Sequence, residues 1–208
     1  LLKIMLLGNH TSGKSTFLHY FTREKFPSEE IDSTNILTIQ PYPHIEENGP
    51  SDKFNLPEAI FYDFGWQDYY HGVYQAFFTI DAVNLLFWHT ESDVNEVKED
   101  SNTYITHHFN RAYWLGQIRY ALNKQREKGS GKEDILWVIQ TYADQDMQSN
   151  WKGTDAISHE FFLSLSSKKS TTKNEHAIGY LISSLKEEIE KNPEVEKTQN
   201  EIDLYQYI

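Results

Sequence analysis

Leu6-Leu7-Gly8-Asn9-His10-Thr11-Ser12-Gly13-Lys14-Ser15-Thr16 is the stretch that decides the fold. Gly8, Gly13, Lys14 and Ser15 fit the phosphate-loop pattern G-x-x-x-x-G-K-[ST]. The apolar run Leu1–Leu7, broken only by Lys3, reads as a buried strand. Thr16–Thr22 reads as the first turns of a helix, with Phe17, Leu18 and Phe21 on its apolar side. Strand, glycine loop and helix together aim backbone N–H groups and a helix N-terminus at phosphate oxygens. Residues Gly8, Asn9, His10, Thr11, Ser12, Gly13, Lys14, Ser15 and Thr16 are then the expected phosphate contacts. Lys14 would reach the outer phosphates, and the Ser15 hydroxyl would ligate Mg²⁺. A glycine-rich turn with an exposed Lys and Ser is the plain alternative, but it does not explain the strand and helix on either side. The expected ligand is a nucleoside triphosphate.

Working outward, a polar stretch over Pro27–Thr34 precedes an alternating strand pattern over Ile36–Tyr42. Pro41–Pro57 holds four of the six prolines and reads as a loop. Ala59–Phe64 reads as a strand, Asp68–Thr79 as a helix, and Ala82–Trp88 as a third apolar strand. Glu91–Asn102 is acidic and loop-like, and Thr103–Lys128 has the stripe of a long amphipathic helix ended by Gly129-Ser130-Gly131. Ile135–Ile139 and Phe161–Leu165 are further strands, and Ala177–Ile189 is a closing helix stopped by Asn192-Pro193. Strands separated by helices predict an α/β fold with a mainly parallel six-stranded sheet covered on both faces. Ligands of such sheets sit beyond the carboxyl ends of the strands.

Composition narrows the functional classes. The chain has 208 residues, enough for one domain with a sizeable core. A net charge of −12 with only four arginines argues against a nucleic-acid surface, which needs a basic patch. The absence of cysteine excludes disulfides, cysteine zinc sites, prenylation and palmitoylation. No run approaches the ~20 apolar residues of a membrane span, and no secretory signal is visible, so a cytoplasmic location is expected. The chain starts inside a strand and ends in the amphipathic stretch Leu204–Ile208, which suggests a domain cut from a longer protein.

The strand exits carry polar residues suited to a nucleotide. Asp63 ends one strand, where a carboxylate can hold the Mg²⁺ shell, and Gly65-Trp66-Gln67 follows it. Gln140-Thr141-Tyr142-Ala143-Asp144 follows Ile135–Ile139 and offers a carboxylate to a guanine base. Ser166-Ser167-Lys168 follows the last strand and is suited to packing beside the base.

In this order the motifs resemble a Ras-like small GTPase of the P-loop class, and more narrowly the Roc domain of Roco proteins. Asp63-Phe64-Gly65-Trp66-Gln67-Asp68-Tyr69-Tyr70-His71 is similar to the D-F-G-G-Q-[DE]-x-Y-H string of that family, and Tyr113–Arg119 has a related character. The resemblance spans residues 1–192 and leaves 193–208 leading toward a downstream COR-like region. It implies a three-layer Ras-like fold, GTP or GDP as ligand, Mg²⁺ as cofactor and a slow GTPase switch in a larger multidomain signalling protein. The implied catalytic residues are Gln67, orienting the attacking water, Lys14, and Thr34, closing over Mg²⁺ and the γ-phosphate. Metal contacts fall to Ser15, Thr34 and Asp63. Implied partners are protein effectors and neighbouring domains, COR-like and leucine-rich repeat. Without the COR region the isolated chain is expected to be monomeric.

Four residues depart from the family pattern. Trp66 stands where a glycine N–H usually meets the γ-phosphate, and either offers its own N–H or forms an apolar plug under the switch. His10 either crowds the γ-phosphate or points to solvent. Thr141 and Tyr142 replace the Asn and Lys of N-K-x-D, which leaves Asp144 to carry the guanine preference and Tyr142 to stack on the purine. Asp146 is a rival for Asp144, whose other role would be a helix cap. A nucleotide-binding module without catalysis and an ATP-using P-loop enzyme are the competing readings. His107 and His108 read as adjacent helical residues rather than metal ligands.

Overall fold

The computed structural model describes residues 2–28, 31, 37–43, 58–65, 82–99, 105–127, 135–144, 157–166 and 171–191. Its elements run β1 (Leu2–Leu7), α1 (Lys14–Arg23), β2 (Leu37–Tyr42), β3 (Ala59–Phe64), β4 (Ala82–Trp88), β5 (Glu96–Glu99), β6 (Ile105–His108), α2 (Arg111–Arg126), β7 (Ile135–Gln140), β8 (His159–Phe162) and α3 (Thr172–Lys191). Six strands form one sheet in the order β2-β3-β1-β4-β7-β8. All neighbours pair in parallel except β2, which runs antiparallel to β3 at the edge.

Side-chain alternation along the central strands divides the core into two layers. Leu2, Ile4 and Leu6 of β1, with Val83, Leu85 and Phe87 of β4, pack with Phe17 and Phe21 of α1 and Leu181 and Leu185 of α3. Met5, Leu7 and Leu86 point to the other face and meet Trp114, Ile118 and Leu122 of α2. Burial on both faces is why these strands read as continuous apolar runs rather than as alternating ones. All of β4 is buried, including Asn84, whose side-chain amide donates to the Ile135 carbonyl. The expected α/β, mainly parallel, six-stranded architecture is therefore the observed one.

The departures lie between β4 and α2. The helix expected over Thr103–Lys128 begins at Arg111, and Ile105–His108 instead pairs antiparallel with Glu96–Glu99 inside the stretch read as an acidic loop. His107 and His108 consequently lie on a strand, not a helix. A capping residue explains the later start: the Asn110 side-chain oxygen accepts the Tyr113 N–H at 3.0 Å. That chemistry favours a helix entry there over one eight residues earlier. The last strand spans His159–Phe162 rather than Phe161–Leu165, and α3 starts at Thr172, not Ala177, where the Thr171 hydroxyl accepts the Asn174 N–H. The expected helix Asp68–Thr79 lies outside the described residues.

Candidate functional site

The carboxyl ends of β1, β3, β7 and β8 converge on the loop Gly8–Gly13. Gly8 has φ +130°, and a Cβ built there would lie 2.0 Å from the Phe87 carbonyl oxygen of β4. Only glycine lets the loop leave β1 so close to its neighbour. Gly13 has φ +93°, and its Cβ position lies 3.0 Å from Leu165 Cδ1 and 3.3 Å from Thr141 Cγ2. The loop therefore turns into α1 against the exits of both β7 and β8. No side chain caps α1 at Gly13, so the helix N-terminus and its positive end of the dipole face the loop interior.

Lys14 fills that interior. Its ammonium donates to the Gly8 carbonyl at 2.9 Å, the Asn9 carbonyl at 2.8 Å and the Ser12 hydroxyl at 3.5 Å. Burial lowers its pKa to about 8, against the opposing attraction of the Asp63 carboxylate. A buried cation ringed by backbone dipoles and offset by one carboxylate is a site built to receive negative charge.

Ser15 and Asp63 meet beside it. The Ser15 hydroxyl donates to Asp63 Oδ2 at 2.7 Å, and Asp63 is only 1% exposed at the end of β3. Two hard oxygen donors next to a phosphate-sized loop fit Mg²⁺, which favours carboxylate, hydroxyl and phosphate oxygen. Gly65 follows, buried.

On the far side of the loop, Thr141 is buried and its hydroxyl donates toward the Ser12 carbonyl at 3.0 Å and the Trp88 carbonyl at 3.2 Å. Its backbone N–H donates to the same Trp88 carbonyl at 2.8 Å. Thr141 is thus a tie between the β7 exit and the phosphate loop. Tyr142, 45% exposed, adopts the left-handed region at φ 54°. That conformation is uncommon for an aromatic residue and concentrates at functional positions. Its ring lies 5.0 Å from the His89 ring. Asp144 is exposed in the turn that follows, where Ala143 N–H donates to the Leu163 carbonyl. Ser166 is half-buried after β8.

The structure thus brings together Gly8 through Thr16, Asp63, Gly65, Thr141 and the end of β8. Thr34, Trp66, Gln67, Ser167 and Lys168 lie outside the described residues. His10 is half-buried, and Thr11 is exposed at φ 58° at the loop tip, its hydroxyl donating to the His10 carbonyl. The Asn9 side chain turns away from the loop interior and bonds to segments around residues 92 and 109, so what it offers the loop is its backbone. The candidate residues expected from sequence lie at the exits of β1, β3, β7 and β8, and none lies at that of β4. His89, which lies there against Tyr142, is visible by the same rule that chemistry follows parallel strands.

The family described as "Ras of Complex, Roc, domain of DAPkinase" matches residues 3–126. Among solved structures, the chain is similar to Methanosarcina barkeri Roco2 RocCORdC bound to GDP, with 21% identity and a TM-score of 0.57. The match covers 91% of this chain and 49% of that one, so the chain spans about half the length of the solved relative. No curated protein matches it.

Proposed function

The chain belongs to the Roc family, a Ras-like GTPase family, and from that membership we propose that it is a guanine-nucleotide switch domain that hydrolyses GTP slowly. The observation that carries the proposal is the buried Lys14 ammonium inside the loop, 2.9 and 2.8 Å from the Gly8 and Asn9 carbonyls, beside the 2.7 Å Ser15–Asp63 contact. Lysine, serine and strand-end aspartate are the parts that P-loop NTPases use to hold the outer phosphates and their metal. The relative's bound GDP supports the same ligand class here.

In this reading Lys14 and the N–H groups entering α1 bind the β- and γ-phosphates. Ser15, Asp63 and Thr34 would hold Mg²⁺, which neutralises charge on the transferring phosphoryl group. Gln67 orients the water, a task of positioning rather than strong base chemistry. Thr141 holds the loop against β7, while Asp144 selects guanine and Tyr142 covers the base. Ser166, Ser167 and Lys168 pack beside it. Trp66 and His10 bear on the γ-phosphate and slow turnover. The reading includes a domain over 1–192 with 193–208 leading toward a COR-like neighbour, and its support is the RocCORdC make-up of the solved relative.

Displacement of a fluorescent GDP analogue by GDP and by ADP tests the ligand. GDP should displace it far more tightly, and equal or tighter ADP binding refutes the guanine assignment. Single-turnover phosphate release from GTP, wild type beside Gln67→Ala, tests the reaction. Release no faster than buffer in the wild type makes the domain a binding module without hydrolysis.

A further inference from the structure

Asn9 carries four hydrogen bonds that phosphate binding does not account for. Its side-chain amide nitrogen donates to the Ser92 and Phe109 carbonyls, both at 2.8 Å. Its side-chain oxygen accepts from the Phe109 N–H and the Trp114 indole N–H, both at 3.0 Å. An asparagine side chain has two donors and one oxygen with two lone pairs, so these bonds saturate it. Asn9 is 5% exposed and Trp114 5%, which places the cluster in a low-dielectric setting where each bond is strong and each broken one costly.

The partners share one origin. Ser92 and Phe109 are the two ends of the excursion that contains β5 and β6, and Trp114 lies in the first turn of α2. Two further rungs close the same neck. Asp93 accepts the Arg111 N–H at 2.7 Å and Arg111 Nε at 2.6 Å, and Asn95 accepts the Asn110 N–H at 2.9 Å. The Arg111 guanidinium also lies 4.1 Å from the centre of the Trp88 ring at the end of β4. The neck is thus a ladder of side-chain bonds, and its innermost rung is a phosphate-loop residue.

The backbone of that residue faces the other way. The Asn9 carbonyl accepts from the Lys14 ammonium and, at 3.4 Å, from the Ser12 N–H. A polyphosphate that draws Lys14 toward itself would change the load on this carbonyl, and a shift of the Asn9 backbone would pull on a side chain held at four points. We propose that Asn9 is a positioning residue coupling the loop's grip on nucleotide to the β5–β6 hairpin and the start of α2. A nucleotide tightens the neck, and by linkage loosening the neck weakens the binding of the nucleotide, a loss that falls mostly on its dissociation rate. The proposal rests on the nucleotide reading above.

The test uses the whole chain, a fluorescent GDP analogue and GDP. Asn9→Ala should speed analogue dissociation about tenfold or more, and Trp114→Phe, which keeps a buried ring and removes one donor, about fivefold, within the usual range of site coupling. A purely structural role would leave a second readout unmoved. The Trp114 indole N–H resonance, identified by its loss in Trp114→Phe, should shift when GDP saturates the wild type and stay in place in Asn9→Ala. Should Asn9→Ala not fold, Trp114→Phe and the wild-type resonance decide alone. Dissociation within twofold of wild type with an indole signal indifferent to GDP overturns the coupling while nucleotide binding stands. A wild type that binds no GDP overturns the nucleotide reading and this proposal with it.

Discussion

Thr141→Val isolates one contact between the base side of the site and the phosphate loop. Valine keeps the volume and branching of threonine, so packing of the γ-methyl against Gly13 is preserved and only the hydroxyl is lost. Two carbonyls receive that hydroxyl, Ser12 at 3.0 Å and Trp88 at 3.2 Å. The Trp88 carbonyl keeps the Thr141 N–H at 2.8 Å and remains satisfied. The Ser12 carbonyl does not, and Ser12 is 0% exposed. An uncompensated buried acceptor costs about 1–3 kcal/mol. For a chain of this size that corresponds to a fall in melting temperature of about 2–12 °C. Thermal unfolding followed by circular dichroism, with urea titration as a second measure, reads this directly. The analogue's affinity should fall too, because the loop loses its attachment to β7. A variant that melts within 1 °C of wild type would refute the idea that Thr141 holds the loop.

Other perturbations address different parts of the site. Gly8→Ala forces a Cβ to 2.0 Å from a backbone oxygen at φ +130°, and no flexible side chain can yield; unfolding titrations should show a loss of at least about 3 kcal/mol. Lys14 gives a pH signature. Its folded pKa of about 8 lies below the ordinary lysine value of 10.5, so between those values the unfolded chain binds the proton that the folded chain lacks. Stability should therefore rise with pH across that window, by about 1–2 kcal/mol from pH 8 to 9.5, and Lys14→Met should abolish the rise in urea midpoints. Asp93→Ala removes the acceptor of both the Arg111 N–H and Nε at the entry to α2. A loss of about 1–3 kcal/mol is expected in the same titration, and a neutral result would show the neck to be dispensable for folding.

Local pattern was sufficient wherever one physical requirement dominated. Apolar runs at β1, β4 and β7 were legible because burial on both faces leaves no polar option. Gly8, Gly13, Lys14 and Ser15 were legible because close approach, a left-handed turn and charge at a helix entrance each admit few residue types. The hairpin of β5 and β6 was hidden, since an acidic stretch followed by Ile105-Thr106-His107-His108 fits a loop and helix as readily as two short strands. Asn110, read as a cap, was the one local cue that could have moved the helix start.

By itself, then, the sequence determined the class of fold, the phosphate loop and the rule that chemistry follows the strands, because these follow from periodicity and single-residue geometry. Only the tertiary structure decided which groups meet. Asp63 reaches Ser15 across 48 positions, Thr141 reaches Ser12 across 129, and Trp114 reaches Asn9 across 105. The sheet order sets those meetings by placing β3 and β4 on either side of β1 and β7 beyond β4. No local pattern encodes that a phosphate-loop asparagine is spent on the neck of a distant hairpin, because its bonding partners become neighbours only when the sheet and α2 have packed.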